Sequence, residues 1–421
     1  MPIPHNATMG RSATKHIGPW TLLVLLSLAF VLNYTDRQVV FAIFPVLRRE
    51  MFFSDVQLGL AGSLFTWTYS ISMPLSGRIA DFVPRHRLVI AALALWSIAT
   101  LGTGLSHSIG QFLSFRVLMG ITESLYVPAA VAMISKAHSH GTRSRALSIH
   151  GLAQFTGITF GGWYGGWAAD HIGWRTGFSS LALAGVLYSL FLTWRFHRLE
   201  SDGRQTQTSP TTPAEVLRSR SYLALCSAFS SFCAMLWILY SWLPTYIYDK
   251  FHLSLAGSGL TATLYLQCSS ALGALIGGFV GDFSADRYRN GRFRVVATAL
   301  FLCAPFAAGI YGAESLKVLE LSACCFGIFA GFFMANVFAS AHDIVSQANF
   351  GFATGLLNMA GGLGAGAAIF ITGLLKHSLG MSNLMFGATF ASILTAILMA
   401  LTVEKNAYSP ERHTSSRYAD Y

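Results

Sequence analysis

Gly77-Arg78-Ile79-Ala80-Asp81 is followed closely by Pro84-Arg85-His86-Arg87, and Gly278-Phe279-Val280-Gly281-Asp282 by Asp286-Arg287 and Arg292-Phe293-Arg294. A glycine, three residues, an aspartate and then a basic cluster thus occur twice in one chain. Each copy closes one long apolar run and opens onto the next. A single basic loop of this kind is only a topology signal. Its recurrence at matching places marks a repeated structural element. The glycine lets a neighbouring helix end come close, and the aspartate can accept from helix N-terminal amides or pair with an arginine.

The apolar runs around these loops set the class. The chain has 421 residues, 53% hydrophobic and 11% charged, with a mean hydropathy of +0.52. Soluble domains carry about 25% charged residues, so a large soluble enzyme, a disordered scaffold and a coiled coil are excluded. Twelve runs lie near 18–46, 56–80, 87–107, 109–135, 143–169, 173–195, 220–248, 256–282, 294–313, 316–342, 350–375 and 381–403. Each is of the order of the ~20 residues that cross a bilayer as a helix. The short alternating strands of a membrane β-barrel are absent from the pattern. The expected fold is an all-α polytopic membrane protein of twelve transmembrane helices in two six-helix pseudo-repeats. Its parts are a tail (1–17), a bundle (18–196), a linker (197–219), a second bundle (220–403) and a tail (404–421). The linker holds the polar stretch Gln205 to Pro213. The first span is too long for a signal-peptide core, so it is expected to be retained.

Basic residues orient the spans. Of 28 Lys and Arg, 19 fall on the two tails and the loops of the same face, and six on the opposite loops. That bias puts both termini in the cytoplasm, in a bacterial inner membrane. The net charge of +10 is spread over short loops, so no nucleic-acid partner is expected. The six cysteines sit in apolar runs without a CxxC and read as small hydrophobes. No metal constellation is present, and no cofactor is expected.

Arg37, Arg78 and Arg116 fall outside the loops. Arg78 adjoins the Asp81 loop, whereas Arg37 and Arg116 share apolar spans with Asp36 and Glu123. Each ionised group at mid-span costs about 2.5–3.5 kcal/mol, so four of them imply a polar cavity, mutual pairing, or both. Asn33, Asp36 and Arg37 share one face of span one, and Arg116, Gly120 and Glu123 one face of span four. Arg116 is within reach of either acid. A carboxyl here has its proton affinity raised by desolvation and lowered by a nearby arginine. Alternating access changes both, so the group can load and unload a proton as coupling ion. Asp36 adjoins Arg37, so an anion reaching Arg37 would compete for the charge that holds Asp36 ionised, with Arg37 as a two-point carboxylate clamp. Tyr34, Tyr69, Gln154, Tyr265, Gln267, Asn336 and Asn358 lie at cavity depth. Trp237, Tyr240, Trp242 and Tyr246 read as interfacial belt and packing. Span five carries two glycine rows, Gly157/Gly161/Gly165 and Gly162/Gly166, and span eleven is glycine-dense in parallel. Such rows suit close-packed helices, and a six-plus-six repeat suits a secondary transporter.

The repeated loop, the six-plus-six layout and the polar linker resemble the major facilitator superfamily over essentially the whole chain. Within it, Asn33-Tyr34-Thr35-Asp36-Arg37, Arg116…Gly120…Glu123 and Trp242-Leu243-Pro244-Thr245-Tyr246 resemble the anion:cation symporters of sugar acids, hexuronates and sialic acid. The resemblance implies that Asp36 and Glu123 carry protons, with Arg116 beside them. It implies that Arg37 meets the substrate carboxylate and that Tyr34, Tyr69, Gln154 and Asn358 line the pocket. Asp81, Arg85, Arg87 and Asp282 would act as gates. Phe82 stands where the superfamily usually has Arg or Lys, leaving Arg85 or Arg87 to pair with Asp81. Asp36-Arg37-Gln38, Ser54 to Leu60 and Arg143 to Ser148 are also similar to spinster-like transporters. The expected function is proton-coupled symport of an organic anion, a sugar acid or other carboxylate, by a monomer in the lipid bilayer. The alternatives are a spinster-like lysolipid exporter, with an apolar, laterally open cavity, and a non-transporting sensor. The four intact intramembrane charges speak against the sensor. No Ser-His-Asp set, HExxH or acidic metal cluster suggests an enzyme.

Overall fold

The computed structural model describes residues 17–197, 213–288, 290–346 and 349–403. These form helices α1 (Pro19–Ala42), α2 (Phe44–Glu50), α3 (Asp55–Phe82), α4 (Arg85–Gly104), α5 (Ile109–Ser124), α6 (Tyr126–Ala137), α7 (His140–His171) and α8 (Trp174–Phe196). After the linker come α9 (Pro213–Arg218), α10 (Arg220–Phe251), α11 (Leu255–Arg287), α12 (Gly291–Gly312), α13 (Leu316–Ile344), α14 (Phe350–Leu379) and α15 (Met381–Val403). Two predicted spans are broken. Pro45 cannot donate to the Phe41 carbonyl, nor Pro128 to that of Ser124, and the chain breaks at Ile43 and Leu125. Counting α1–α2 and α5–α6 as one span each gives the twelve. The end of the linker is not loop but the short helix α9. The rest of the polar stretch, before Pro213, lies outside the described residues.

Local signals recur in register between the halves. Ser54 and Ser254 cap α3 and α11 by accepting from Gln57 and Gly257, and Ser108 and Ser315 cap α5 and α13 in the same way. A serine hydroxyl there satisfies an otherwise orphaned helix amide. Left-handed backbone recurs as well, at Phe52 and His252 before those caps and at Gly173 and Gly380 before α8 and α15. The second half therefore repeats the first in fold and in its helix-ending chemistry.

Within the first half α1 packs on α7, α3 on α5 and α4 on α8; within the second α11 packs on α13, α12 on α13 and α15, and α10 on α14. The halves meet chiefly along α3–α14 and α7–α11. Among the described residues, ten spans are long and apolar enough to cross a bilayer on composition alone. The two that are not, α3 and α7, are rich in Ser, Thr and Gly, and both lie at the junction. Their polarity is tolerated because it faces protein and cavity rather than lipid.

The junction is closed at one end only. From mid-span toward the face away from the linker, Trp67 Nε1 donates to the Leu363 carbonyl at 3.2 Å and Ser63 Oγ to that of Gly366 at 2.7 Å, and Gly59 and Gly373 bring the helix backbones together beyond them. The two glycine rows of α7 serve different neighbours. Gly157, Gly161 and Gly165 lie against the α1 backbone at Val31, Thr35 and Val39, while Gly162 and Gly166 lie against Gly259 and Leu255 of α11. Toward the linker face this stops: Gly77, Gly151, Gly351 and Gly355 have nothing within 4 Å of where a Cβ would stand. The close contacts between the halves thus stop short of the linker face.

A Cβ on Gly166 would stand 2.2 Å from the Leu255 carbonyl oxygen. Gly166→Leu should therefore hold the closed end apart. A thiol placed at the buried Phe41 should then react from the face away from the linker. A bias of about 1.4 kcal/mol already shifts that population tenfold. Unchanged labelling would count against this contact as a seal.

Candidate functional site

The close crossing of α3 and α5 builds the floor of the site. A Cβ on Gly120 would lie 2.2 Å from Thr68 Oγ1 and 2.6 Å from the Phe65 carbonyl oxygen, so only glycine permits this approach. It carries Arg116 onto α3, where Nε donates to the Ala61 carbonyl at 3.1 Å and Nη1 to Met119 Sδ at 3.0 Å. Two turns along the same face, Glu123 meets α1: Arg37 Nε donates to Glu123 Oε2 at 2.6 Å, with the two side chains 5% and 0% exposed. The Arg37 guanidinium lies 4.6 Å from the centroid of the Tyr34 ring, 4.2 Å from Tyr69 and 5.2 Å from Phe65. An aromatic box of this kind favours a desolvated cation. Tyr34 and Tyr69 are half-buried and form its wall.

The structure brings Asp36, Arg37, Arg116 and Glu123 close to one another, with one ion pair among them. Arg37 bonds to Glu123 and not to its neighbour Asp36, because adjacent residues on a helix diverge by about 100°. Arg116 makes no ion pair with either acid; the Ala61 carbonyl and Met119 occupy it. Asp36 is buried beside α4, facing Thr100 and Trp96. Gln154 is half-buried, one turn toward the linker face from Gly157, which packs on Tyr34. Asn358 is half-buried and donates to the Thr354 carbonyl of its own helix at 3.0 Å.

The wall toward the closed end holds residues that read as packing in the sequence. Gln38 Nε2 donates to the Tyr240 carbonyl at 2.9 Å and Gln267 Nε2 to the Tyr240 hydroxyl at 2.8 Å. Trp242 packs on Phe44 and donates to the Ile369 carbonyl at 3.3 Å. The Gln38–Tyr240 bond and the Phe44–Trp242 contact join the halves just beyond Arg37, while Gln267 and Ile369 hold Tyr240 and Trp242 from within the second half. Gln267 reads at cavity depth in the sequence, but Tyr240 and Trp242 show there only as part of a dense aromatic run, which a membrane-interface belt explains equally well. Tyr265 turns away from the cavity toward Glu320 of α13. Asn336 is taken up by the Gly277 and Phe332 carbonyls within its own half.

Farther out, Asp55 Oδ1 is 2.8 Å from both Arg48 Nη2 and Lys376 Nζ, and its Oδ2 is 2.6 Å from His377 Nε2. Across the other seam, the Ala256 amide donates to Asp170 Oδ2 at 3.1 Å. At the linker face Arg292 meets Asp282 at 2.5 Å and Asp343 at 3.3 Å. The second copy of the repeated motif therefore ties α11, α12 and α13 of one half together. Of the first copy, Arg85 is half-buried and Arg87 exposed; the Asp81 side chain lies outside the described residues. Asp282 is 72% exposed, and exposed pairs contribute about 0–1 kcal/mol. Asp282→Asn should therefore move the inward/outward balance only a few-fold, measured by cysteine accessibility from both faces. No shift at all would argue against a gating part.

The chain is 24% identical over 299 residues to the probable L-galactonate transporter of Escherichia coli, covering 67% of this chain and 66% of that protein. It is 24% identical over 369 residues to the hexuronate transporter of Bacillus subtilis, covering 83% and 87%. A crystal structure of a bacterial homolog of the human lysosomal transporter Spinster, inward-facing and occupied, superposes with a TM-score of 0.79 at 18% identity, covering 92% of this chain and 98% of that one. The family model of the Major Facilitator Superfamily matches residues 26–316 and 271–418. With twelve membrane helices in two repeats and that match, the chain is a multi-pass membrane protein belonging to the Major Facilitator Superfamily.

Proposed function

We propose that the protein is a proton-coupled symporter of an organic anion of the sugar-acid class, working by alternating access. The observation that carries this reading is the buried Arg37–Glu123 pair inside the Tyr34, Phe65 and Tyr69 box. While Glu123 is ionised, Arg37 is neutralised and offers an anion little. A proton on Glu123 removes that competitor, and the guanidinium becomes an unpaired cation at the cavity wall. A carboxylate then takes its two-point fork. Proton and anion bind together because each removes the obstacle to the other, which is the reciprocity symport requires. Tyr34, Tyr69 and Gln154 from one half, and Asn358 from the other, are suited to sugar hydroxyls. A ligand touching both halves draws the open end shut.

By the positive-inside rule the linker face is cytoplasmic, so this conformation opens inward, in a bacterial inner membrane with both termini inside. One chain holds the complete site, in keeping with a monomer that needs no cofactor beyond the proton. The relatives named for L-galactonate and hexuronate support the anion class. The fold shared with a Spinster homolog leaves a lysolipid exporter as the second reading. Uptake into proteoliposomes, tested with sugar acids, monocarboxylates and lysolipids with and without an inward proton gradient, separates the two. The expected result is gradient-dependent accumulation of a sugar acid. Lysolipid flux, or sugar-acid flux indifferent to the gradient, would overturn it.

A further inference from the structure

At the face away from the linker a cavity of about 300 Å³ is lined by Trp242, Thr245, Tyr246, Asp249, Lys250 and Lys376. Its size is at the lower end of the range for small-molecule sites. These residues lie beyond Tyr240 on α10 or in the last turn of α14, so the cavity is separate from the Arg37–Glu123 box. Lys250 Nζ donates to the Tyr246 hydroxyl at 2.9 Å and to the Ala313 carbonyl at 2.7 Å. An ammonium has three donors, so the exposed Lys250 keeps one for a ligand. The Lys376 ammonium lies 4.5 Å from the centre of the Trp242 ring. Thr245 is 2% exposed, and its Oγ1 has no hydrogen bond among the described residues. Two ammonium groups suit an anion. The Asp249 carboxylate and the orphaned Thr245 hydroxyl beside them suit a ligand that also carries hydroxyls. The same side chains hold the closed end together. Lys376 Nζ is 2.8 Å from Asp55 Oδ1 and Asp249 Oδ2 is 3.8 Å from Arg48 Nη1, both partners belonging to the first half.

We infer that this cavity is a second binding site, for a polyhydroxy carboxylate arriving from the face away from the linker, and that the bound anion loosens the closed end. Its carboxylate lies between Lys250 and Lys376, while its hydroxyls donate to Asp249 and meet Thr245. Lys376 and Asp249 are thereby drawn from Asp55 and Arg48. Asp55 keeps Arg48 of its own half and His377 of the other, so the seam is weakened and not abolished. A ligand shifts such an equilibrium only by its difference in affinity for the two states. Here that difference is the competition for Lys376 and Asp249, and it favours the state in which the first-half partners have moved away. Lys250 binds the anion without taking part in the seam, since its bonds stay within the second half. The inference takes its anion class from the symport reading, but it needs neither the proton nor the Arg37 site.

Spin labels at the exposed His107 and Lys317, on the outer loops of the two halves, report the opening as a distance in phosphatidylcholine nanodiscs at constant pH. L-galactonate should raise the ratio of wide to narrow distances on the order of tenfold, the usual scale of such coupling. Acetate at equal ionic strength, which has no hydroxyls, should not. Lys250→Gln should leave the ligand-free distances unchanged and need roughly ten- to a hundred-fold more L-galactonate for the same shift. Lys376→Gln should widen the ligand-free distribution by itself and respond little to the anion. Arg37→Ala combined with Glu123→Gln, which removes the central clamp, should still respond. A response lost in that double variant but kept in Lys250→Gln would place the effect at the central site and overturn the outer one. No response in the wild type, or an equal response to acetate, would overturn the ligand class. Widening produced by phosphatidylglycerol without L-galactonate would overturn it too, in favour of a lipid headgroup. Unchanged ligand-free distances in Lys376→Gln would overturn the competition. A wild type that accumulates no sugar acid would remove the symport reading, while these distances still decide the outer cavity. Lys250 is exposed, so its variant carries the test if the double variant does not fold.

Discussion

Glu123→Gln is expected to abolish proton-driven accumulation of a sugar acid in proteoliposomes while leaving substrate exchange measurable. Glutamine keeps the size of the side chain and an oxygen for Arg37 Nε, so the box of Tyr34, Phe65 and Tyr69 should survive. Removing the partner outright would strand a buried guanidinium at a cost of about 3–5 kcal/mol, which makes alanine a poor probe of coupling. What glutamine lacks is the titration. The variant should therefore bind its anion with an affinity that no longer falls as pH rises. At alkaline pH it should bind more tightly than the wild type, by up to the ~1.5–3 kcal/mol of a charge-assisted hydrogen bond. That sign follows from the pair: the Glu123 carboxylate competes with substrate for Arg37 only when ionised. Wild-type accumulation in Glu123→Gln would remove Glu123 from the coupling, and a pH-dependent affinity surviving in it would move the titrating group elsewhere.

The membrane fold was legible because its determinants are local or repeated. Two copies of a glycine-to-aspartate motif, serine caps at matching helix starts and apolar runs of membrane length depend on no distant contact. Helical spacing also put Asn33, Asp36 and Arg37 on one face, and Arg116 and Glu123 on another. It could not say which acid meets which arginine, because that depends on how two helices rotate against each other. Gly120 decides it: by letting α5 settle on α3 at Phe65, it hands Arg116 to the Ala61 carbonyl and leaves Glu123 for Arg37. The glycine rows of α7 show the same limit. A one-residue offset turns the row that packs on α1 into the row that packs on α11. Tyr265 lies at cavity depth yet faces Glu320, whereas Tyr240, which reads as packing, takes the Gln38 amide on its carbonyl across the junction. Depth along a span is written in the sequence, and azimuth only where several charges share a face.

Arg37→Lys should fail almost as badly as Arg37→Ala in binding an organic anion. Lysine keeps the charge and can reach Glu123, so a purely structural Arg37 would tolerate it. The clamp would not. An ammonium offers no planar two-point fork to a carboxylate, and it cannot stack between Tyr34 and Tyr69 as a guanidinium does. The expected loss is about 1.5–3 kcal/mol in binding, roughly ten- to a hundred-fold, with transport falling at least as far. The contact in the structure sharpens the control. Arg37→Ala alone leaves Glu123 buried without its cation, so a loss there mixes folding with function. Arg37→Ala combined with Glu123→Gln removes both charges together and should regain the folding that the single variant loses. Under the clamp it still binds no anion, whereas under a structural role its binding returns with the fold. A binding titration on these three variants, using the best anion from the substrate panel and checked by thermal unfolding in detergent, separates the accounts. Near-normal affinity in Arg37→Lys, or restored affinity in the double variant, would end the clamp model.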